Sequence, residues 1–178
     1  MELPKSKAVV SDLRFVQSVD STNQQLIREH QELQDFSVLV AASQTAGQGR
    51  SGRSWVSEPG ASISLSVLLR PNFPQRSSLI TFLMAASAHQ ALVKLIESDL
   101  LSIKWPNDLL IGDKKFVGMI AQASAKGVVL GIGINVGMSQ EELPVETATS
   151  LAITGFAELD RNVILASIIN HFEINMQM

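Results

Sequence analysis

The segment Ser62 to Leu69 constrains the fold most. Ile63, Leu65, Val67 and Leu69 alternate with Ser62, Ser64 and Ser66, so apolar and small polar side chains leave opposite sides of an extended chain. A period of two is the signature of a β-strand, here predicting a sheet with one buried face. Five other runs read as strands: Phe15 to Val19, Val38 to Ala42, Leu101 to Lys104, Lys115 to Ala123 and Val128 to Val136.

Three segments have helical spacing instead. The first begins at Ser21 or Thr22, both good N-cap residues, and runs towards Asp35. The second is capped around Ser77 or Ser78 and aligns Leu79, Phe82, Leu83, Ala86, Val93 and Ile96 on one stripe. The third opens at Asp160, with Ile164, Leu165, Ile168, Ile169 and Phe172 spaced for one face. Helices separated by hairpin runs predict an α+β class, a central sheet with helices mainly on one face. The 178 residues suit one core. The expected organisation is a single domain over 1–178.

Composition narrows the function. With no cysteine, disulfide frameworks and thiolate metal sites are excluded. The net charge of −3 gives no overall basic face for nucleic acid or membrane. No apolar run is expected to span a membrane, and Met1 to Val10 lacks an apolar core of signal-peptide length. The expectation is a soluble, cytoplasmic domain. His30, His89 and His171 fall in predicted helices without metal-ligand spacing. Gly-x-Ser-x-Gly is absent, as is any Cys/His pair, so covalent nucleophilic catalysis has no support.

Chemistry concentrates in a few segments. Ser43 to Trp55 carries Gly47, Gly49 and Gly52 with Arg50 and Arg53, and no acidic residue. Successive backbone N–H groups and guanidinium forks can cradle phosphate or carboxylate. Taken alone, a solvated basic surface loop is the commoner fate of such a stretch. Lys104-Trp105-Pro106-Asn107-Asp108 closes a strand and enters a turn, presenting a cation, an amide and a carboxylate together. It can hold phosphate and Mg²⁺, or be an ordinary hairpin with Trp105 filling the core. Lys115 follows a polar hairpin tip, Gly112 to Lys114, and is useful only if it faces inward. Gly131 and Gly133 interrupt a strand, which often marks close approach by a ligand or another backbone. Asp20-Ser21-Thr22-Asn23 is a helix cap that could also bind a ligand's amide or carbonyl groups. Ser139 to Thr147 reads as a mobile loop.

Together and in this order, Ser21-Thr22-Asn23, the Gln44 to Trp55 loop, Lys104 to Asp108, Lys115 with Gly118, Gly131 to Val136 and Ala148 to Leu151 resemble the catalytic domain of biotin protein ligases. The resemblance runs from about Phe15 to Phe172. It implies a central mixed, largely antiparallel sheet like that of class II aminoacyl-tRNA synthetases and biotin ligases. The implied activity is conversion of biotin and ATP, with Mg²⁺, into biotinyl-5′-AMP, followed by transfer to a lysine of a biotin carboxyl carrier protein. A lipoyl or octanoyl transferase of the same superfamily and a non-catalytic biotin- or adenylate-binding module are the alternatives.

By the same resemblance, Lys115 would contact the biotin carboxylate and the α-phosphate, while Arg50 and Arg53 bind phosphates and order the loop. Ser21, Thr22, Asn23 and Gln44 would hydrogen-bond the ureido ring. Gly47, Gly118, Gly131 and Gly133 would admit the ligand close to backbone, and Trp55 would wall the pocket. Lys104, Asn107 and Asn135 would handle ATP, and Asp108 the Mg²⁺. Gln48 stands where the family's loop usually carries another arginine, and Gln122 where a glutamate is common. The family often forms homodimers. The expectation is accordingly a domain without the family's operator-DNA-binding winged helix or SH3-like barrel, and without DNA as a partner.

Overall fold

The computed structural model describes residues 10, 12–70, 77–96, 98–125, 127–158 and 160–177. Seven strands form one sheet: β1 (Leu13–Val19), β2 (Val38–Gln44), β3 (Ser62–Leu69), β4 (Leu101–Lys104), β5 (Asp108–Ile111), β6 (Lys114–Ser124) and β7 (Gly127–Asn135). Their order is β1-β2-β3-β7-β6-β5-β4. Only β1 and β2 run parallel, and every other neighbouring pair is antiparallel. The strand β5 was not foreseen. Four residues between a turn and Gly112 are too short to show a period.

The helices among the described residues are α1 (Thr22–Glu29), α2 (Ser77–Ile96) and α3 (Arg161–Met176). Helices α2 and α3 pack together and cover one face of the sheet, joining Val38, Val40, Ile63, Leu65, Val67 and Ile132 in the main core. Helix α1 lies on the opposite face, where Leu26 meets Leu39, Leu68 and Val129. The fold is therefore α+β, with a mixed, largely antiparallel sheet and two of three helices on one side.

Several expectations need correcting. The serine face of β3 is not solvated: Ser62, Ser64 and Ser66 are all at or below 2% exposure. Helix α1 and the side chains around it cover that face. The first helix stops at Glu29 rather than near Asp35. The Arg70 guanidinium takes the carbonyls of His30 and Leu33 at 2.6 and 2.7 Å, and Phe36 turns to φ 63°.

Helix α2 bears out its predicted stripe only in part, since Ile96 is buried and Leu83 packs against the core. Ile80, Met84, Ala85, Ala88, Ala91 and Leu92 are buried, whereas Leu79, Phe82 and Val93 are exposed. Alanines let the helix approach its neighbours closely, and that packing outweighs the larger residues of the other stripe. The proposed caps Ser77 and Ser78 have side chains outside the described residues, as does most of Met1 to Val10. Contrary to expectation, Leu79–Ile96 is long and apolar enough to cross a membrane by composition alone, and half of it is buried in the fold. Helix α3 follows its prediction. Asp160 caps it by accepting from Asn162 N at 2.8 Å, and Ile164, Leu165, Ile168, Ile169 and Phe172 are buried.

Candidate active site

The α1 side of the sheet is built from residues with little side chain. Strand register places Ser64 beside Gly133, Gly133 beside Gly118 and Gly118 beside Asp108, a row across β3, β7, β6 and β5. The row forms a trough, and the Trp55 ring lies in it. A Cβ on Gly133 would meet Trp55 Nε1 and Cζ2 at 2.5 Å, and one on Gly118 would meet Trp55 Cζ3 at 2.9 Å. At Gly118, Gly131 and Gly133, expected to admit a ligand, the space that a Cβ would take holds the chain's own side chains. Gly118 and Gly133 admit Trp55 and Lys115, and Gly131 admits the Asn23 side chain.

Above the trough is a cleft of about 820 Å³. It is lined by Ser21, Thr22, Asn23, Gln44, Arg50, Arg53, Trp55, Lys104, Asn107, Asp108, Lys115, Gly118, Gly131, Gly133 and Asn135. Every residue to which the resemblance gives a role is thus brought to one cavity except Gly47. That glycine lies behind it, its carbonyl accepting from Trp55 N at 2.9 Å. Four cations and two acids, Asp108 and Asp113, line the cleft, so local charge opposes the negative total of the chain.

One end of the cleft is neutral and donor-rich. Gln44 Oε1 accepts from Thr22 N at 2.8 Å and from Thr22 Oγ1 at 3.0 Å, while its amide donates to Ser64 Oγ at 3.2 Å. Ser66 Oγ bonds Thr22 Oγ1 and Asn23 Oδ1 at 2.7 and 2.5 Å. Ser21 starts α1, its Oγ at 3.5 Å from Gln24 N. These polar groups, buried except for the half-buried Gln44, satisfy one another, so each is held in one orientation.

The other end is ionic. Lys115 points inward, its Nζ 2.7 Å from Asp108 Oδ1 and 5.7 Å from the Trp55 ring centroid. Its backbone is clamped by residues 147–149, with Lys115 N donating to Thr147 O at 2.9 Å and Thr149 N to Lys115 O at 2.8 Å. Asn107 Nδ2 reaches Met119 O and Asp108 Oδ1, both at 3.0 Å, leaving Asn107 Oδ1 to accept from Arg50 Nη1 at 2.8 Å. Asn135 is fixed by Thr149 O at 3.1 Å. Lys104 and Arg53 are exposed at the rim. Trp105 is 74% exposed, which removes the core-filler reading of the Lys104 to Asp108 turn.

The Ser139 to Thr147 loop supplies Pro144, Val145 and Thr147 to the cleft wall. It is anchored by the buried cluster of Met138, Leu143 and Ala148. Sequence reading treated it as a mobile loop and missed the wall. Leu143, an apolar residue in a largely polar segment and the one residue of the loop that is buried, was the available signal.

The family model for the biotin/lipoate A/B protein ligase family matches residues 15–139. The chain belongs to that family. It is 35% identical over 168 residues to the biotin–[acetyl-CoA-carboxylase] ligase of Mycobacterium tuberculosis, covering 90% of this chain and 62% of that protein. It is 36% identical over 170 residues to the bifunctional ligase/repressor BirA of Bacillus spizizenii, covering 88% of this chain and 51% of BirA. The biotin protein ligase of Aquifex aeolicus, solved with biotin and ATP, superposes with a TM-score of 0.84 at 31% identity. That match covers 93% of this chain and 70% of the other. The chain spans about half the length of the curated ligase/repressor relatives it matches.

Proposed function

We propose that this domain activates biotin with ATP and passes it to a protein lysine. The observation that carries this is Lys115, held inward on the floor between a neutral, hydrogen-bonding end and a cationic end of one cleft. In the first step a biotin carboxylate oxygen attacks the α-phosphorus of ATP, and pyrophosphate leaves. In the second, the ε-amine of a lysine on a biotin carboxyl carrier protein attacks the acyl carbon. AMP leaves and the amine loses its proton. Neither step needs an enzyme nucleophile.

The residues supply position and charge. Thr22, Asn23 and Gln44 take the ureido group, and Ser21 flanks it. Trp55 and the small-residue row seat the ring and acyl chain. Lys115 lies between carboxylate and α-phosphate, where two anions must meet, and exchanges Asp108 for them. Arg50, Arg53 and Lys104 face the phosphates, with Asn107 and Asn135 orienting the nucleotide. Asp108 already engages Lys115 and Asn107, and no group of three metal-ligating side chains occurs among the described residues. The described residues thus offer no cage for Mg²⁺. The ion would arrive on the nucleotide's phosphates and neutralise their charge, with Asp108 as a neighbouring carboxylate.

The test is incubation with ATP, Mg²⁺ and biotin or lipoate, with acyl-adenylate and labelled carrier read by mass spectrometry. Biotinyl-adenylate is expected, and Lys115→Ala should lower its formation roughly 10²–10³-fold with the thermal midpoint nearly unchanged. Adenylate formed only from lipoate, or undiminished formation by Lys115→Ala, would overturn the assignment.

A further inference from the structure

The two positions that depart from the family pattern touch each other. Gln122 Nε2 donates to Gln48 Oε1 at 3.1 Å. Gln24 Nε2 of α1 approaches the same oxygen at 3.4 Å. On its other side, Gln122 Oε1 accepts from Asn23 Nδ2 at 2.7 Å, and Asn23 Oδ1 accepts from Ser66. A continuous line of uncharged side chains therefore runs from the floor of the cleft to the glycine-arginine loop.

The loop itself is a small folded unit. Gln48 and Ser54 form an isolated antiparallel bridge. Gly49 N donates to Arg53 O at 2.7 Å, and Ser51 and Gly52 take positive φ of 57° and 74°. Such a turn keeps its own shape, so its placement depends on the side chains that tie it to the body. Arg50 to Asn107 is one tie. Another is Gln48 to Gln122, on the Asn23 side of the cleft, with Gln24 at 3.4 Å from the same Gln48 oxygen.

We propose that Gln48 and Gln122 are positioning residues, forming a charge-free latch that holds the glycine-arginine loop over the neutral end of the cleft. The functional part of this rests on the adenylate-forming reading given above. Because Gln122 bonds Asn23 and Gln48 together, the side chain at the ureido end and the lid move as one. Amide hydrogen bonds neither titrate nor depend on ionic strength as an ion pair would. Loop closure at this end is therefore indifferent to salt.

Hydrogen exchange of the 47–55 segment in the free chain tests the latch without any ligand. Gln48→Ala and Gln122→Ala should each speed exchange there about threefold to tenfold, the scale of one side-chain hydrogen bond. The double variant should fall well short of the product of the single effects, since both remove the shared Gln48–Gln122 contact. Exchange in β3 and β7 should be unchanged, excluding general loosening. Gln48→Lys with Gln122→Glu should restore protection at low salt and lose it at high salt, whereas the wild type stays level.

With biotin and ATP, Gln48→Ala should release biotinyl-adenylate faster while biotin affinity holds, and Gln122→Ala should weaken both. Multiplicative single effects, or unaltered exchange in Gln48→Ala, would overturn the latch. Coupled exchange in a chain that forms no adenylate would leave the latch standing and remove the ligase reading instead.

Discussion

The two faces of the sheet exclude water by opposite means. On the α2 and α3 face, Ile63, Leu65 and Val67 of β3 meet Met84, Ile168 and Phe172 in one apolar core. On the α1 face, Ser64 and Ser66 of the same strand meet Gln44, Thr22 and Asn23, with Trp55 over two glycines. The first face is filled by close packing, and its stability comes from apolar area. The second is filled by mutually satisfied polar groups around a cleft, and its content is orientation. In a period-two strand, a small polar face therefore need not be a wet face. Where something covers it, it is a candidate binding floor.

Substitutions on the two faces should separate stability from binding. Phe172→Ala empties a fully buried site that also stacks on Phe36 at 5.9 Å. It should lower unfolding free energy by about 3–5 kcal/mol in urea titration, with biotin affinity unchanged in the folded fraction. Gly133→Ala acts on the opposite face, forcing the Trp55 ring out of the trough. Overpacking there should weaken biotin binding by calorimetry roughly tenfold to a hundredfold with little change in the urea midpoint. Equal stability losses from both variants would mean that the faces do not differ in the way described.

Much of this was legible from residues, and the misses have physical causes. Strand β3 was read to the residue because its alternation is unbroken from Ser62 to Val67, yet the same alternation misled on exposure. Period two reports which residues share a face, not what covers it. The stripe on α2 held at Ile96 and Leu83 but failed at Leu79 and Phe82, which outweigh Ala88 and Ala91 by size, whereas close packing favours the alanines. At the site, Lys115 and the loop were found through their order along the chain. The pairing of Gln48 with Gln122 could not be, since it joins residues 74 apart through a loop whose placement only the folded chain defines.

The smallest effect concerns how α1 is pinned to its face. Asp20 accepts from Ser21 N at 2.7 Å and takes a forked pair of bonds from Arg28 at 2.7 and 2.8 Å. The Arg28 guanidinium, helped by the Ser21 N–H, lowers the Asp20 carboxyl from 3.8 to about 2. At the other end of α1, Glu29 ion-pairs with Arg14 of β1 at 2.7 Å. Burial raises the Glu29 carboxyl, but Arg14 and Gln25 outweigh it and the net shift is downward. Groups held low in the folded chain stabilise it fully above their ordinary values, and lose that contribution as pH falls through the folded values. For Asp20 the window lies between 3.8 and about 2. Both carboxylates sit on the α1 side, so acid should loosen that face before the helix-packed one. In a Trp105→Phe background, Trp55 fluorescence should change at a higher pH than far-UV circular dichroism. Asp20→Asn should narrow the gap by loosening α1 already at neutral pH. The pair is largely exposed and its effect small, so coincident midpoints in wild type would show that α1 and the main core yield together, and that the two faces differ in chemistry but not in cooperativity.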